Sequence, residues 1–215
     1  MNTNPNAKRI LCFGDSYTWG YIPSSNHERY PANIRWTGVL QNILGVDYEV
    51  IEEGLNSRTL YSDDLRPGKE GRNGSSYLIP SLDTHDPIDL VILLLGTNEL
   101  KNEYNSNENE IEDLIENHYV KVIINRKSQF SDKKPDLILI SPPIIDLTKD
   151  YAHKRYSKCK ELNNKLPRIF EKIPIKYNCQ FLDASKVVKV SSDGVHFDEI
   201  NHQKLAKEIA NLINT

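Results

Sequence analysis

Residues 90–95 read Leu-Val-Ile-Leu-Leu-Leu, six apolar side chains with no polar position among them. A strand with one wet face alternates apolar and polar residues, whereas a strand covered on both faces reads as a continuous apolar run. This segment therefore calls for a sheet with layers above and below it. Shorter runs recur at 10–13, at 48–51 and at 137–140, the last stopping at Pro142-Pro143, with a weaker fifth at 179–182. Helical patterns lie between them. Trp36, Val39, Leu40, Ile43 and Leu44 recur at the spacing of one helix face, and Gly45 is placed to end that helix. Residues 111–124 and 151–170 are further helix candidates, and 200–213 put Leu205, Ile209, Leu212 and Ile213 on one stripe. Strands alternating with helices predict a three-layer α/β/α fold, flavodoxin-like, with a parallel sheet of about five strands. The polar stretches 66–76 and 101–109 read as loops.

Length and charge narrow the function classes. At 215 residues the chain suits one domain spanning 1–215. A formal net charge of −3 gives no basic surplus, so a nucleic-acid partner is not expected. No stretch approaches the roughly 20 apolar residues of a membrane helix, so no membrane insertion is expected. The opening MNTNPNAKRI has no apolar segment of the kind a signal peptide needs. Cys12, Cys159 and Cys179 are widely spaced, without zinc-site spacing. They fit reduced thiols in the cytoplasm. The other histidines show no paired ligand spacing, so neither a metal nor any other cofactor is expected.

In open parallel sheets, ligands bind outside the carboxyl ends of the strands. Four polar segments follow apolar runs at that edge: Gly14–Gly20, Gly54–Thr59, Gly96–Glu99 and, near the C-terminus, Asp193–Phe197. A serine hydroxyl needs an adjacent base to act as a nucleophile at neutral pH. Ser16 and His196 supply that pair. A neutral imidazole must be held in one tautomer, and Asp193, three residues before His196, can reach it locally. The oxyanion of a tetrahedral intermediate needs aimed donors. Candidates are the Ser16 backbone N–H, the Asn98 side-chain amide and a backbone N–H in the Gly54–Arg58 loop. Asp15 reads as structural, satisfying N–H groups at a helix start. Arg58 reads as either an anion binder or a structural donor.

These four segments, in order, resemble the blocks of the SGNH hydrolases, also called GDSL esterases: GDSY at 14–17, GLNS at 54–57, GTNE at 96–99 and DGVH at 193–196. ILCFGDSYTWG, RWTGVL, EVIEEGLNSRT, NGSSYL, IDLVILLLGTNE, SPP and DGVHF look like the arylesterase/acyltransferase (perhydrolase) branch. The resemblance implies a serine esterase that cleaves short-chain carboxylic esters of small molecules through an acyl-enzyme, without a metal, with acyltransfer as a further activity. Ser16, Asp193 and His196 would be catalytic, and Ser16, Ser57 and Asn98 would form the oxyanion hole. Tyr17, Trp19, Tyr21 and Val195 are expected to line the substrate pocket. Assembly into a homo-oligomer is implied as well. Three departures stand out: Tyr17 replaces the Leu of GDSL, Ser57 stands where the second block often has Gly, and Glu99 replaces the Asp after the oxyanion Asn.

Two other functions fit the same residues less well. One is a carbohydrate O-deacetylase of the same fold. The other is a catalytically inactive binding module, which predicts a missing triad member, yet Ser16, Asp193 and His196 are all present.

Overall fold

In the computed structural model, which describes residues 2–128, 130 and 132–214, the five apolar runs are five strands of one parallel sheet. They are β1 (Lys8–Gly14), β2 (Tyr48–Gly54), β3 (Leu90–Leu94), β4 (Asp136–Ser141) and β5 (Gln180–Asp183), in the order β2-β1-β3-β4-β5. The helices are α1 (Ser16–Trp19), α2 (Trp36–Leu44), α3 (Gly74–Thr84), α4 (Glu108–Ile115), α5 (Lys121–Asn125), α6 (Asp150–Tyr156), α7 (Lys160–Tyr177), α8 (Ala184–Val187) and α9 (Glu199–Ile213). A wider π turn over Glu116–Val120 joins α4 to α5.

Alternation along each strand divides the core into two layers, because successive side chains point to opposite faces. Leu11, Phe13, Val91, Leu93, Leu137 and Leu139 face one way, packing with Leu78 and Leu82 of α3, Ile111 and Ile115 of α4 and Leu166 and Phe170 of α7. Ile10, Cys12, Ile92, Leu94, Ile138 and Ile140 face the other, against Trp36 and Leu40 of α2 and Leu205 and Ile209 of α9. The expected three-layer α/β/α architecture is therefore present. Among the described residues, no helix is long and apolar enough to cross a membrane.

Two helical expectations need correction. Residues 151–170 do not form one helix. A 3-10 turn at Ser157–Cys159 separates α6 from α7, and α7 runs on to Tyr177 with Pro167 and Pro174 inside it. Asn102 makes the break: its side-chain oxygen accepts from the Lys158 N–H at 2.9 Å and its N–H donates to the Arg155 carbonyl at 2.8 Å. The stretch 66–76 is a loop only as far as Asn73, which caps α3 by accepting from the Ser75 N–H at 3.1 Å.

The register sets the site. Gly14 pairs with Gly54 on one side and Leu94 on the other, Leu94 with Ile140, and Ser141 with Asp183. The strands thus end together, and the loops that follow them lie side by side along one edge.

Candidate active site

Ser16 follows β1 after Asp15 and opens α1. The chain turns there because Asp15 caps α1, its Oδ1 accepting from the Tyr17 N–H at 3.0 Å. Gly54 allows the turn to pass beside the end of β2, since a Cβ there would lie 2.2 Å from the Trp19 nitrogen. Burial pushes the Asp15 carboxyl up to about 7, against the pull of the Tyr17 N–H and the charges of Lys101 and Arg58. Asp15 therefore stands as a structural cap.

His196 comes from the loop before α9. Asp193 Oδ1 accepts from the Val195 N–H at 2.9 Å and the His196 N–H at 2.8 Å, folding the loop around its own carboxylate. Gly194 takes φ 78°, and a Cβ on it would meet the Asp146 carbonyl at 2.4 Å. Asp193 Oδ2 lies 2.6 Å from His196 Nδ1, and His196 Nε2 lies 3.0 Å from Ser16 Oγ. Three side chains from opposite ends of the sequence so form one hydrogen-bonded line. Burial alone would raise the Asp193 carboxyl, but the His196 ring and the two backbone donors outweigh it and hold it at about 2. It is a carboxylate at any working pH. The His196–Asp193 bond thus fixes the ring with Nε2 toward the hydroxyl.

The donor side is built by the turns after β2 and β3. The Arg58 N–H bonds the Leu55 carbonyl at 3.0 Å, which closes a turn with Ser57 at its third position and φ 65°. That is a left-handed position usually taken by Gly or Asn, which explains physically why the departure to Ser leaves the backbone path unchanged. Among the described residues, the backbone N–H groups of Ser16 and Ser57 have no acceptor. Asn98 Nδ2 lies 2.9 Å from the Arg58 carbonyl and 3.3 Å from Asp15 Oδ2. Arg58 is buried at 2% exposure, donates to the carbonyls of Gly14 at 2.9 Å and Glu53, and sits 4.1 Å from the Phe13 ring centre. It is a structural donor, and no part of the cleft is lined by it.

A cavity of about 70 Å³ opens over Ser16, Ser57, Asn98 and His196. Of the side chains expected there, only Tyr21 lines it, its ring 4.4 Å from the His196 imidazole. Tyr17 is buried and stacks on Phe197 at 4.4 Å, because the second residue of a helix capped at Asp15 points down onto the sheet. Val195 is buried in the core with Ala152 and Tyr156. Trp19 turns outward under the Arg29 guanidinium, 5.0 Å from its ring centre. The cavity wall also holds His27, Tyr151, Arg155, Arg66, Lys69 and Lys101, none of which the motifs mark. Lys101 alone had a legible signal, three positions after Asn98 on the same turn. A larger groove of about 970 Å³ runs between residues 105–109 and 158–165, but Ser16, Asp193 and His196 do not border it.

Residues 12–204 match the GDSL-like lipase/acylhydrolase family. The chain belongs to that family. Among solved structures it is similar to the native aryl esterase of M. smegmatis, at 35% identity over 97% of this chain and 99% of that one, with a TM-score of 0.88. It is similar to Est24, a carbohydrate acetylesterase from Sinorhizobium meliloti, at 31% identity over 96% and 98%, TM-score 0.88. A lipase/acylhydrolase from Enterococcus faecalis shares the fold at 17% identity over 96% and 95%, TM-score 0.70. No curated protein matches the chain. This GDSL-family chain is therefore an ester hydrolase with the SGNH fold.

Proposed function

We propose that this hydrolase cleaves short-chain carboxylic esters through an acyl-enzyme on Ser16. The observation that carries the reading is the line Ser16–His196–Asp193, with links of 3.0 Å and 2.6 Å. His196 Nε2 takes the Ser16 proton as Oγ bonds to the ester carbonyl carbon. The oxyanion is held by the N–H groups of Ser16 and Ser57 and one Asn98 amide hydrogen. The His196 imidazolium, stabilised by Asp193, then passes its proton to the leaving alkoxide, and the C–O bond breaks. Water repeats the sequence on the acyl-enzyme, returning Ser16 and releasing the acid.

The small cavity supports a short acyl group. At about 70 Å³ the cleft over Ser16 is small beside the 970 Å³ groove, which favours a short acyl group over a long alkyl chain. Acyltransfer to an added alcohol is a competing fate of the same acyl-enzyme. It would be seen as alcohol-dependent partition away from the free acid. The likeness to a carbohydrate acetylesterase supports a second substrate class, acetylated saccharides. The three free thiols support a reducing, cytoplasmic setting. Tyr77 and Ile79 on α3, and Tyr61 and Leu65 in the segment after β2, are large apolar side chains left exposed, which supports a homo-oligomer, to be read by sedimentation.

The test is chemical. An organophosphonate ester should label the wild type at Ser16, located by peptide mass. Ser16→Ala should lose at least about 10⁴-fold in kcat on p-nitrophenyl acetate. Activity that survives in purified Ser16→Ala would remove the nucleophile from Ser16.

A further inference from the structure

The wall of the catalytic cavity on the oxyanion-hole side is cationic. Arg66, Lys69, Lys101 and Arg155 line it, and among the described residues no Asp or Glu does. Arg66 reaches to within 3.5 Å of Ser57 Oγ, which places one guanidinium beside the proposed oxyanion donors. Lys101 extends the turn that carries Asn98. Arg155 is brought next to it because the Asn102 N–H bonds the Arg155 carbonyl at 2.8 Å.

Four carboxyl groups neighbour this wall, but burial raises Asp15 to about 7 and Glu99 to about 8, so Asp64 and Glu103 supply most of the opposing charge. Asp64 pairs with Arg66, and Glu103 lies 3.9 Å from Arg155. Lys101 is 3% exposed, and its Nζ, buried, has no hydrogen-bond partner among the described residues. The Arg155 Nε is likewise buried without a partner. A buried ammonium without an acceptor is costly unless something else supplies one. Burial, with the charges of Arg66 and Arg155, holds the Lys101 ammonium down at about 8, as expected of a cation crowded by cations.

We infer that the cavity takes an ester bearing an anionic group, a carboxylate or a phosphate, a few atoms from the scissile carbonyl, with Lys101 and Arg155 as its counter-charges. This rests on the esterase reading above and adds the substrate class to it. An anion there gives Lys101 Nζ and Arg155 Nε the acceptors they lack, and charge-assisted bonds of that kind are the strong ones.

The experiment compares isosteres, so that charge is the only variable. One arm places the charge on the acyl side: ethyl hydrogen succinate against ethyl levulinate, followed by pH-stat. The other places it on the leaving group: 3-acetoxybenzoate against 3-acetoxybenzamide. The wild type should favour the anionic member by about tenfold or more in kcat/KM in at least one arm. High salt should shrink that ratio. Lys101→Met, which replaces a buried ammonium by an apolar chain of similar length, should bring the ratio toward one. Neutral isosteres hydrolysed as well as or better than the anionic ones in both arms would overturn the inference while leaving the esterase reading intact. Failure to hydrolyse any of the four esters, or p-nitrophenyl acetate, would overturn both.

Discussion

The Asn98 amide nitrogen lies 2.9 Å from the carbonyl oxygen of Arg58, so the turn after β3 is tied to the turn after β2. The bond fixes the amide's orientation, because the Arg58 carbonyl can only accept. The longer bond, 3.3 Å to Asp15, is the one that yields most readily when an oxyanion competes for the hydrogen. Asn98 is thus a clamp on the loop that carries Ser57, beside its proposed task as a donor to the reacting oxygen. Asn98→Ala should lower kcat by about 100- to 1000-fold, with a smaller change in KM. An Asn98→Ala enzyme within about threefold of wild type in kcat would limit the side chain to the clamp.

Ser57 sits at φ 65°, where a side chain is strained and glycine is not. The backbone N–H is the proposed donor, and it survives any substitution that keeps the path. Ser57→Gly should keep kcat within about threefold and raise stability by up to about 1 kcal/mol, or about 2–4 °C in Tm. Ser57→Val, β-branched at a left-handed position, should lose both activity and stability. A fall in Tm for the glycine variant would mean that the Ser57 side chain contributes more than its conformation costs.

His202 provides a pH signature. Its ring is buried at 1% exposure, Nδ1 accepts from the Trp36 N–H at 3.3 Å, and burial drives it down from 6.5 to about 4. A histidine depressed in the folded state stays neutral there while the unfolded chain takes up a proton. Stability is therefore present above pH 6.5 and is lost as pH falls from 6.5 toward 4, by up to about 3 kcal/mol. Asp193, held at about 2, loses most of its contribution below 3.8, so its window lies mainly below that of His202. His202→Asn keeps an acceptor for the Trp36 N–H without the titration. Its Tm should be lower at neutral pH but should fall less steeply between pH 6.5 and 4 than that of the wild type. Parallel slopes in calorimetry would take His202 out of the acid transition.

What could be read in the sequence depended on which force was at work. The strands were legible because two-sided burial leaves a mark on each residue of Leu90–Leu94 and its neighbours in the sheet. The line Ser16–His196–Asp193 was legible because the proposed proton transfer demands particular residue types, and strand ends bring them to one edge. Helix α3 was hidden: its buried positions include Gly74 and Ser81 as well as Leu78 and Leu82, and Pro80 interrupts it, so no apolar stripe marks it. Tyr17 and Val195 were misplaced into the pocket because proximity in sequence to Ser16 and His196 says nothing of which way a side chain points. The cationic wall was not legible either. Arg66, Lys101 and Arg155 come from three loops or helices that meet only through bonds such as Asn102 to Arg155.

Glu99 shows why the residue after Asn98 carries a carboxyl that no reaction step needs. Its side chain is 2% exposed, one oxygen accepts from the Leu60 N–H, and the other has no partner among the described residues. Burial, resisted by the backbone donors of Leu60 and Glu99 and by Lys101, raises it from 4.5 to about 8. A carboxyl raised in the folded state is protonated there while the unfolded chain is ionised. Its contribution is therefore full below pH 4.5 and is lost as pH rises through about 8. Glu99→Gln keeps the acceptor for the Leu60 N–H and removes the ionisation. At pH 9 the variant should be more stable than the wild type by about 1–3 kcal/mol, some 3–10 °C in Tm, while at pH 5 the two should differ little. A gain of equal size at both pH values would trace the effect to packing and not to the buried charge. Because Gln leaves the Asn98 backbone in place, kcat on p-nitrophenyl acetate should follow the wild-type value to within about threefold, which separates the stability role of this carboxyl from the proposed donor role of the residue before it.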